Sequence, residues 1–290
     1  GGKPTMYYAI SFFGELGAEI IYPDPGFPIY ESMINYTGAK AIPYNLTENK
    51  NFSIDPDKVL SLINEKTRLL ILNNPHNPTG SFTEKKVIDK LAKGLMNFPD
   101  VVILSDEVYD RLIFNKKEIS TFLNYPDLYD RLIVLNGWSK TYAMTGWRLG
   151  WGVWPENLIK HVFKFCVNNH SCVNTAAQYG AIAALEGPED HLNNMLEKFT
   201  IRRKLIVDGL RNLKGIECNM PEGTFFAFPN VKGTGMNGEE FQRKCLNEAG
   251  VAIIPGTSFG KFGVDNVRFN FATSEENISN ALEKINNMLG

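Results

Sequence analysis

The 290-residue chain has little of what most short functional motifs require. Its four cysteines (Cys166, Cys172, Cys218, Cys245) include no CxxC pair; they are too sparse for a disulfide scaffold and lack the spacing of a zinc or redox site. The four histidines (His76, His161, His170, His191) form no HExxH, so no metal centre is expected. An excess of one charge is missing too. Thirty Lys and Arg stand against thirty-two Asp and Glu, which provides no field to steer a polyanion, and nucleic acid is not expected as a partner. No apolar run reaches the roughly 18 residues of a membrane span. No small-residue cleavage signal accompanies the apolar patch at 6–13, so neither membrane nor export is expected and a reducing cytoplasm suits the cysteines.

Nucleotide loops are absent as well. The stretch GTGMNG at 233–238 matches GxGxxG by letter, yet no Asp or Glu ends the following VAIIPG, where the ribose partner belongs. The opening GGKP has no Ser or Thr after its lysine, as a Walker loop requires.

What is present is a large apolar content, 43% hydrophobic and 12% aromatic, enough for a sizeable core and more than one unit. AEIIYPD, RLLILNNP, VVILSDE, RLIVLNG and RLGWGV read as strands, with helical stretches such as TEKKVIDKLAKGLM between some of them. Unbroken apolar strands imply burial on both faces, hence an α/β fold with a mostly parallel sheet. Helical periodicity then dominates to about residue 213, ending in HLNNMLEKFTIRRKLIVDGLRNL. FFAFP, VAII and VRFNFA with two further helices read as a smaller α+β unit. The expected division is a large domain at 1–187 and a small C-terminal domain at 188–290 that includes the long connecting helix. Strands of the first part end in PDPG, NNPHNPTG, DEVYD and NGWSK, and in open α/β sheets such carboxyl-end loops converge on the ligand site.

Within these loops Asp106 of DEVY is an acid at the sheet edge, a position that equally suits a helix or turn cap. NNPHNPTG alone is turn chemistry. GWSKTYAMTGWRLGW, residues 137–151, holds Lys140 and Arg148 as its only charges, among Trp138, Trp147 and Trp151. The rings suggest packed surroundings and two buried cations. A buried ammonium must find an anion or lose its proton, and a deprotonated lysine is a nucleophile.

In this order and spacing NNPHNPTG, DEVYDRL, GWSKTYAMTGWRLGW and VRFNFA resemble the class I and II aminotransferases of the aspartate aminotransferase superfamily, over essentially the whole chain. The resemblance implies the pyridoxal 5′-phosphate-dependent transferase fold type I, a homodimer, and exchange of an amino group between an L-amino acid and a 2-oxo acid. By position Lys140 matches the lysine that carries the cofactor as an imine and then shuttles a proton. Asp106 matches the carboxylate paired with the pyridine nitrogen, Asn77 and Tyr109 the partners of the phenolic oxygen, and Phe27 the aromatic stacked on the ring. Arg148, Ser139 and the backbone at Gly2 and Lys3 match the phosphate site, where Gly137 replaces a serine common in the family. Arg268, with Asn77, matches the clamp on the substrate α-carboxylate.

KFCVNNHSCVNTAAQ, 164–178, has no arginine for a distal carboxylate. Lys3 resembles a GGK-loop lysine that serves instead in one bacterial subgroup, which leans the substrate toward aspartate or glutamate. The same fold also hosts β/γ or C–S lyases and non-catalytic cofactor-binding relatives, and both remain alternatives here. Against the family's length, about 100 residues are expected to be absent before Gly1, so an inactive fragment is a further alternative.

Overall fold

The computed structural model describes residues 1–114 and 121–290. Its centre is a six-stranded sheet of β1 (Glu19–Asp24), β2 (Lys40–Asn45), β3 (Thr67–Asn73), β4 (Val102–Asp106), β5 (Leu132–Asn136) and β6 (Trp151–Val153), in the order β2-β1-β3-β4-β5-β6. The first five pair in parallel and β6 closes one edge antiparallel. Adjacent residues of the central strands enter different cores, because successive side chains of a strand point to opposite faces. Ile20, Leu69, Leu104 and Ile133 pack beneath α1 (Lys3–Phe13) and α2 (Ile29–Thr37), while Ile21, Leu70, Ile103 and Val134 pack beneath α3 (Pro56–Ser61) and α4 (Lys85–Leu95). Burying each such side chain contributes about 1.5–3 kcal/mol, which is why these strands contain no polar alternation.

Pro4 stands in the first turn of α1, where its missing N–H costs nothing and its fixed φ suits the helix. Edge strand β2 is mostly exposed or half-buried and contains Pro43, a composition edges tolerate.

After the four-residue α5 (Trp138–Thr141) and strand β6 come α6 (Glu156–His170), α7 (Thr175–Glu186) and the long α8 (Asp190–Asn212). The remaining elements are β7 (Phe226–Ala227), α9 (Gly238–Lys244), β8 (Ile254–Pro255), β9 (Val267–Asn270) and α10 (Glu275–Leu289). The three short strands form an antiparallel sheet, β7-β9-β8. The strand expected at VAII lies further along, at Ile254–Pro255. GTGMNG ends in a capping box, Asn237 with Glu240, at the start of α9, which is local helix-start chemistry.

The core of this second sheet gathers Ile206, Leu210, Phe241, Phe271 and Ile285, and it also takes in Tyr109, Leu112 and Phe114 from the segment that leaves β4. An isolated bridge from Ile113 to Gly223 continues that insertion.

Candidate active site

Strand order reverses beside β1, whose two neighbours are β2 and β3; this is where an open α/β sheet leaves a crevice at its carboxyl edge. Around it β1 runs into Phe27, β3 into Asn77, β4 into Asp106 and β5 into α5. A cavity of about 290 Å³ opens there, and every residue singled out by the motifs lines it: Gly2, Lys3, Phe27, Asn77, Asp106, Tyr109, Ser139, Lys140, Arg148 and Arg268.

Asp106 is the buried anion of the site. Burial pushes its carboxyl up to about 6, opposed by hydrogen bonds from the Tyr30 hydroxyl and the Val108 N–H. Tyr30 Oη donates to Asp106 Oδ2 at 2.6 Å and Val108 N to Oδ1 at 3.3 Å. Asn73 Nδ2 donates to the Asp106 carbonyl at 3.0 Å, while its Oδ1 accepts from Asn77 N at 2.9 Å. One buried amide thus fixes the ends of two strands relative to each other.

Lys140 is half-buried, its Nζ 5.1 Å from the Phe225 ring centroid and 5.7 Å from that of Tyr109. Burial lowers its pKa first, and the nearby positive charges of Arg268, Arg148 and Lys3 lower it further. Arg268 lies between two rings, its guanidinium carbon 4.2 Å from the Phe226 centroid and 4.7 Å from that of Phe259. One of its terminal nitrogens donates to Asn77 Oδ1 at 2.8 Å, and its buried Nε has no partner among the described residues. Lys3 is exposed at the cavity mouth, with Nζ 5.7 Å from the Phe27 centroid.

Two expectations need correction. Arg148 is exposed, and so are Trp147, at 51%, and Trp151; within the segment the buried or half-buried positions are 137–142, Met144, Leu149 and Gly150. The rings misled because aromatic content marks surfaces that meet other molecules as well as interiors. Arg148 adopts a left-handed backbone, φ 56°, with Nη1 donating to Thr145 O at 2.6 Å. This conformation costs a non-glycine residue about 1 kcal/mol or more, and it lays the guanidinium against Gly1, where an added Cβ would lie 2.5 Å from Nη2. Gly137, the departure from the serine, is explained by space: a Cβ there would meet the Leu149 carbonyl oxygen at 2.8 Å and Gly150 Cα at 3.0 Å.

The sequence did not point to Tyr30, Asn73 or the Phe225–Phe226 floor. Tyr30 stands in the first turn of α2, and its ring meets that of Phe27 edge-on with centroids 6.0 Å apart.

The arrangement sets several cations around a cavity whose buried acid is bonded to none of them. It can bind a small molecule bearing more than one anionic group and a site for a proton beside Asp106, and it offers within the same space an amine, Lys140, whose pKa burial and neighbouring cations lower. A larger groove of about 950 Å³ lies between α1, α6 and the Trp147–Trp154 segment, but it is largely apolar.

Comparison with known proteins agrees with this chemistry. A family model described as aminotransferase class I and II matches residues 1–285. A probable aspartate aminotransferase of Methanocaldococcus jannaschii is 38% identical over 288 residues, covering 97% of this chain and 74% of the relative. Among solved structures, the aspartate aminotransferase of Rhizobium meliloti superposes with a TM-score of 0.94 at 30% identity, covering 100% of this chain and 74% of that one. An aromatic aminotransferase of Pyrococcus horikoshii superposes with a TM-score of 0.95 at 33% identity, covering 100% and 77%.

Proposed function

Because this chain belongs to the class I and II aminotransferases, and so exchanges an amino group between an amino acid and a 2-oxo acid, we propose that pyridoxal 5′-phosphate fills the cavity and that the preferred substrates are aspartate and glutamate. The observation that carries this reading is the buried Asp106, pushed up to about 6 with no cation bonded to it among the described residues, in a cavity otherwise ringed by Lys140, Arg148, Arg268 and Lys3. The donor set fits the cofactor group by group. Asp106 would face a protonated ring nitrogen, Asn77 and Tyr109 the ring oxygen, and Phe27 the ring. Arg148, Ser139 and the amino end of α1 at Gly2 and Lys3 would hold the phosphate.

When bound, this cofactor supplies an aldehyde for the amino group and a ring that accepts electrons from the α carbon. The chain's own residues do the rest. Burial and three cationic neighbours favour the neutral amine of Lys140, which can take the proton from the substrate α carbon and return it. Arg268 holds the α-carboxylate in a planar fork, equally before and during the proton transfer. Its unpartnered Nε and its bond to Asn77 show a guanidinium with donors to share. Lys3, exposed at the mouth, suits a distal carboxylate.

The same reading includes a large unit at 1–187, a smaller one at 188–290, and a homodimer. The helix α6 has no buried residue although it contains Phe163 and Phe165, and Tyr179 on α7 is 71% exposed. This apolar surface adjoins Arg148 and supports a second copy as its cover; light scattering that finds a monomer at micromolar concentration would oppose it. The unpaired thiols support a cytoplasmic setting.

An absorbance experiment tests the function. The visible band of the bound cofactor should vanish when aspartate is added alone and return with a 2-oxo acid. Steady release of pyruvate and ammonia would favour a lyase instead, and absence of any band with added cofactor would refute the cofactor assignment.

A further inference from the structure

Asp24, the last residue of β1, is 1% exposed and bonded to no cation among the described residues; its oxygens accept the backbone N–H groups of Lys261 and Phe262 at 3.1 and 3.2 Å. Next to it Gly26 N donates to Phe259 O at 2.6 Å. The turn that presents those amides is shaped around the carboxylate. Gly260 has φ +133°, a conformation other residues avoid, and a Cβ there would lie 2.0 Å from Asp24 Oδ1. Burial is the largest influence on Asp24 and raises its pKa, while the two amides pull it back. A carboxylate in this place is costly as packing, because an apolar residue would avoid its desolvation.

The two chain segments joined here lead one to the cavity wall and the other to Arg268. Three residues after Asp24 comes Phe27, on the cavity wall. One residue before Gly260 comes Phe259, whose ring lies on the Arg268 guanidinium. Arg268 is bonded in turn to Asn77. The path from the carboxylate-binding arginine to the ring-facing loop therefore runs through Phe259, the Gly260 turn and Asp24.

We infer that Asp24 is a positioning residue: by gripping the amides of Lys261 and Phe262 it sets Arg268, through Phe259, at the distance from Phe27 that a substrate's α-carboxylate requires. This rests on the roles proposed above for Arg268 and Phe27. Since the α-carboxylate is held alike before and during reaction, losing the grip removes uniform binding, which raises KM and spares kcat.

The test uses the holoenzyme. Asp24→Asn keeps the shape but offers an amide where one backbone N–H needs an acceptor; Gly260→Ala pushes on the same contact from the other side. Each should raise KM about ten-fold for acidic and neutral amino acids alike, with kcat within about two-fold. The double variant should be no worse than either single one, as for two changes to one contact. An unmodified protein supplies a readout independent of turnover. Saturating succinate, which occupies the carboxylate site without reacting, should slow hydrogen exchange at the Lys261 and Phe262 amides about ten-fold, and Asp24→Asn should abolish that protection. A fall in kcat at constant KM, unaltered kinetics in both variants, or amides indifferent to succinate in the unmodified enzyme would overturn the inference. Arg268→Gln separates the two levels. If it leaves succinate affinity unchanged, the site assignment fails and this inference with it; if it weakens succinate while Asp24→Asn does not, only this inference fails.

Discussion

Replacing Tyr30 with phenylalanine removes one hydroxyl and nothing else, from a fully buried ring whose Oη lies 2.6 Å from Asp106 Oδ2. A hydrogen bond to a charged buried group contributes about 1.5–3 kcal/mol, or roughly 1–2 pKa units. Asp106, already pushed to about 6, should therefore titrate at roughly 7–8 in the cofactor-free variant. The consequence for stability has a definite sign. The folded pKa lies above the ordinary value of 3.8, so the folded state holds its proton longer and stability falls as pH rises from about 4 to about 6, then levels off. In Tyr30→Phe the fall continues to about 8. The variant's deficit should be small at pH 5, where the acid is protonated in both proteins, and larger by about 1.5–3 kcal/mol at pH 8. Glu107 titrates in the same window, raised to about 7 by burial, but it is unchanged by the substitution and cancels in the difference. Urea unfolding of cofactor-free protein at several pH values measures the deficit, and carbon NMR of the Asp106 carboxyl measures the shift. A deficit independent of pH, or an unmoved titration, would refute the role given to Tyr30.

Three further outcomes are expected. Lys3→Gln should raise KM for aspartate and glutamate about two- to five-fold, as an exposed ion pair of up to about 1 kcal/mol implies, and leave that for neutral and aromatic amino acids unchanged; an equal loss for all would sink the acidic preference. Arg268→Gln should lower kcat/KM about a hundred-fold for every amino acid, as loss of two charge-assisted bonds requires, with unfolding temperature as the control for global damage. Gly137→Ala should destabilise the protein by about 1–3 kcal/mol, because its Cβ has no room beside Leu149 and Gly150; calorimetry showing no change would mean that the β5 exit relaxes freely.

The central strands were legible because burial on both faces leaves an unmistakable apolar run at β1, β3, β4 and β5. Edge strand β2 was not, since KAIPYN mixes exposed and buried positions and contains a proline. The pocket was legible through its charges: each cation or acid in an apolar context had to have a reason for being there. Tyr30 was missed because a buried tyrosine looks like core until its hydroxyl is placed beside Asp106, and Asp24 because an acid before Pro-Gly looks like turn chemistry. Arg148 and its flanking tryptophans were misread for another reason. Aromatic side chains serve interiors and exposed apolar surfaces alike, so composition alone did not place Trp147 and Trp151 on the outside.

The insertion of Tyr109, Leu112 and Phe114 into the core of the second sheet makes the division by chain order differ from the division by packing. A recombinant piece beginning near residue 188 would leave behind three side chains of its own interior, and its complement would display them to water. Dissection of the protein, or swapping of its C-terminal part with a relative, should therefore succeed only when 109–114 travels with the piece it packs against, although Asp106, three residues earlier, belongs to the other one.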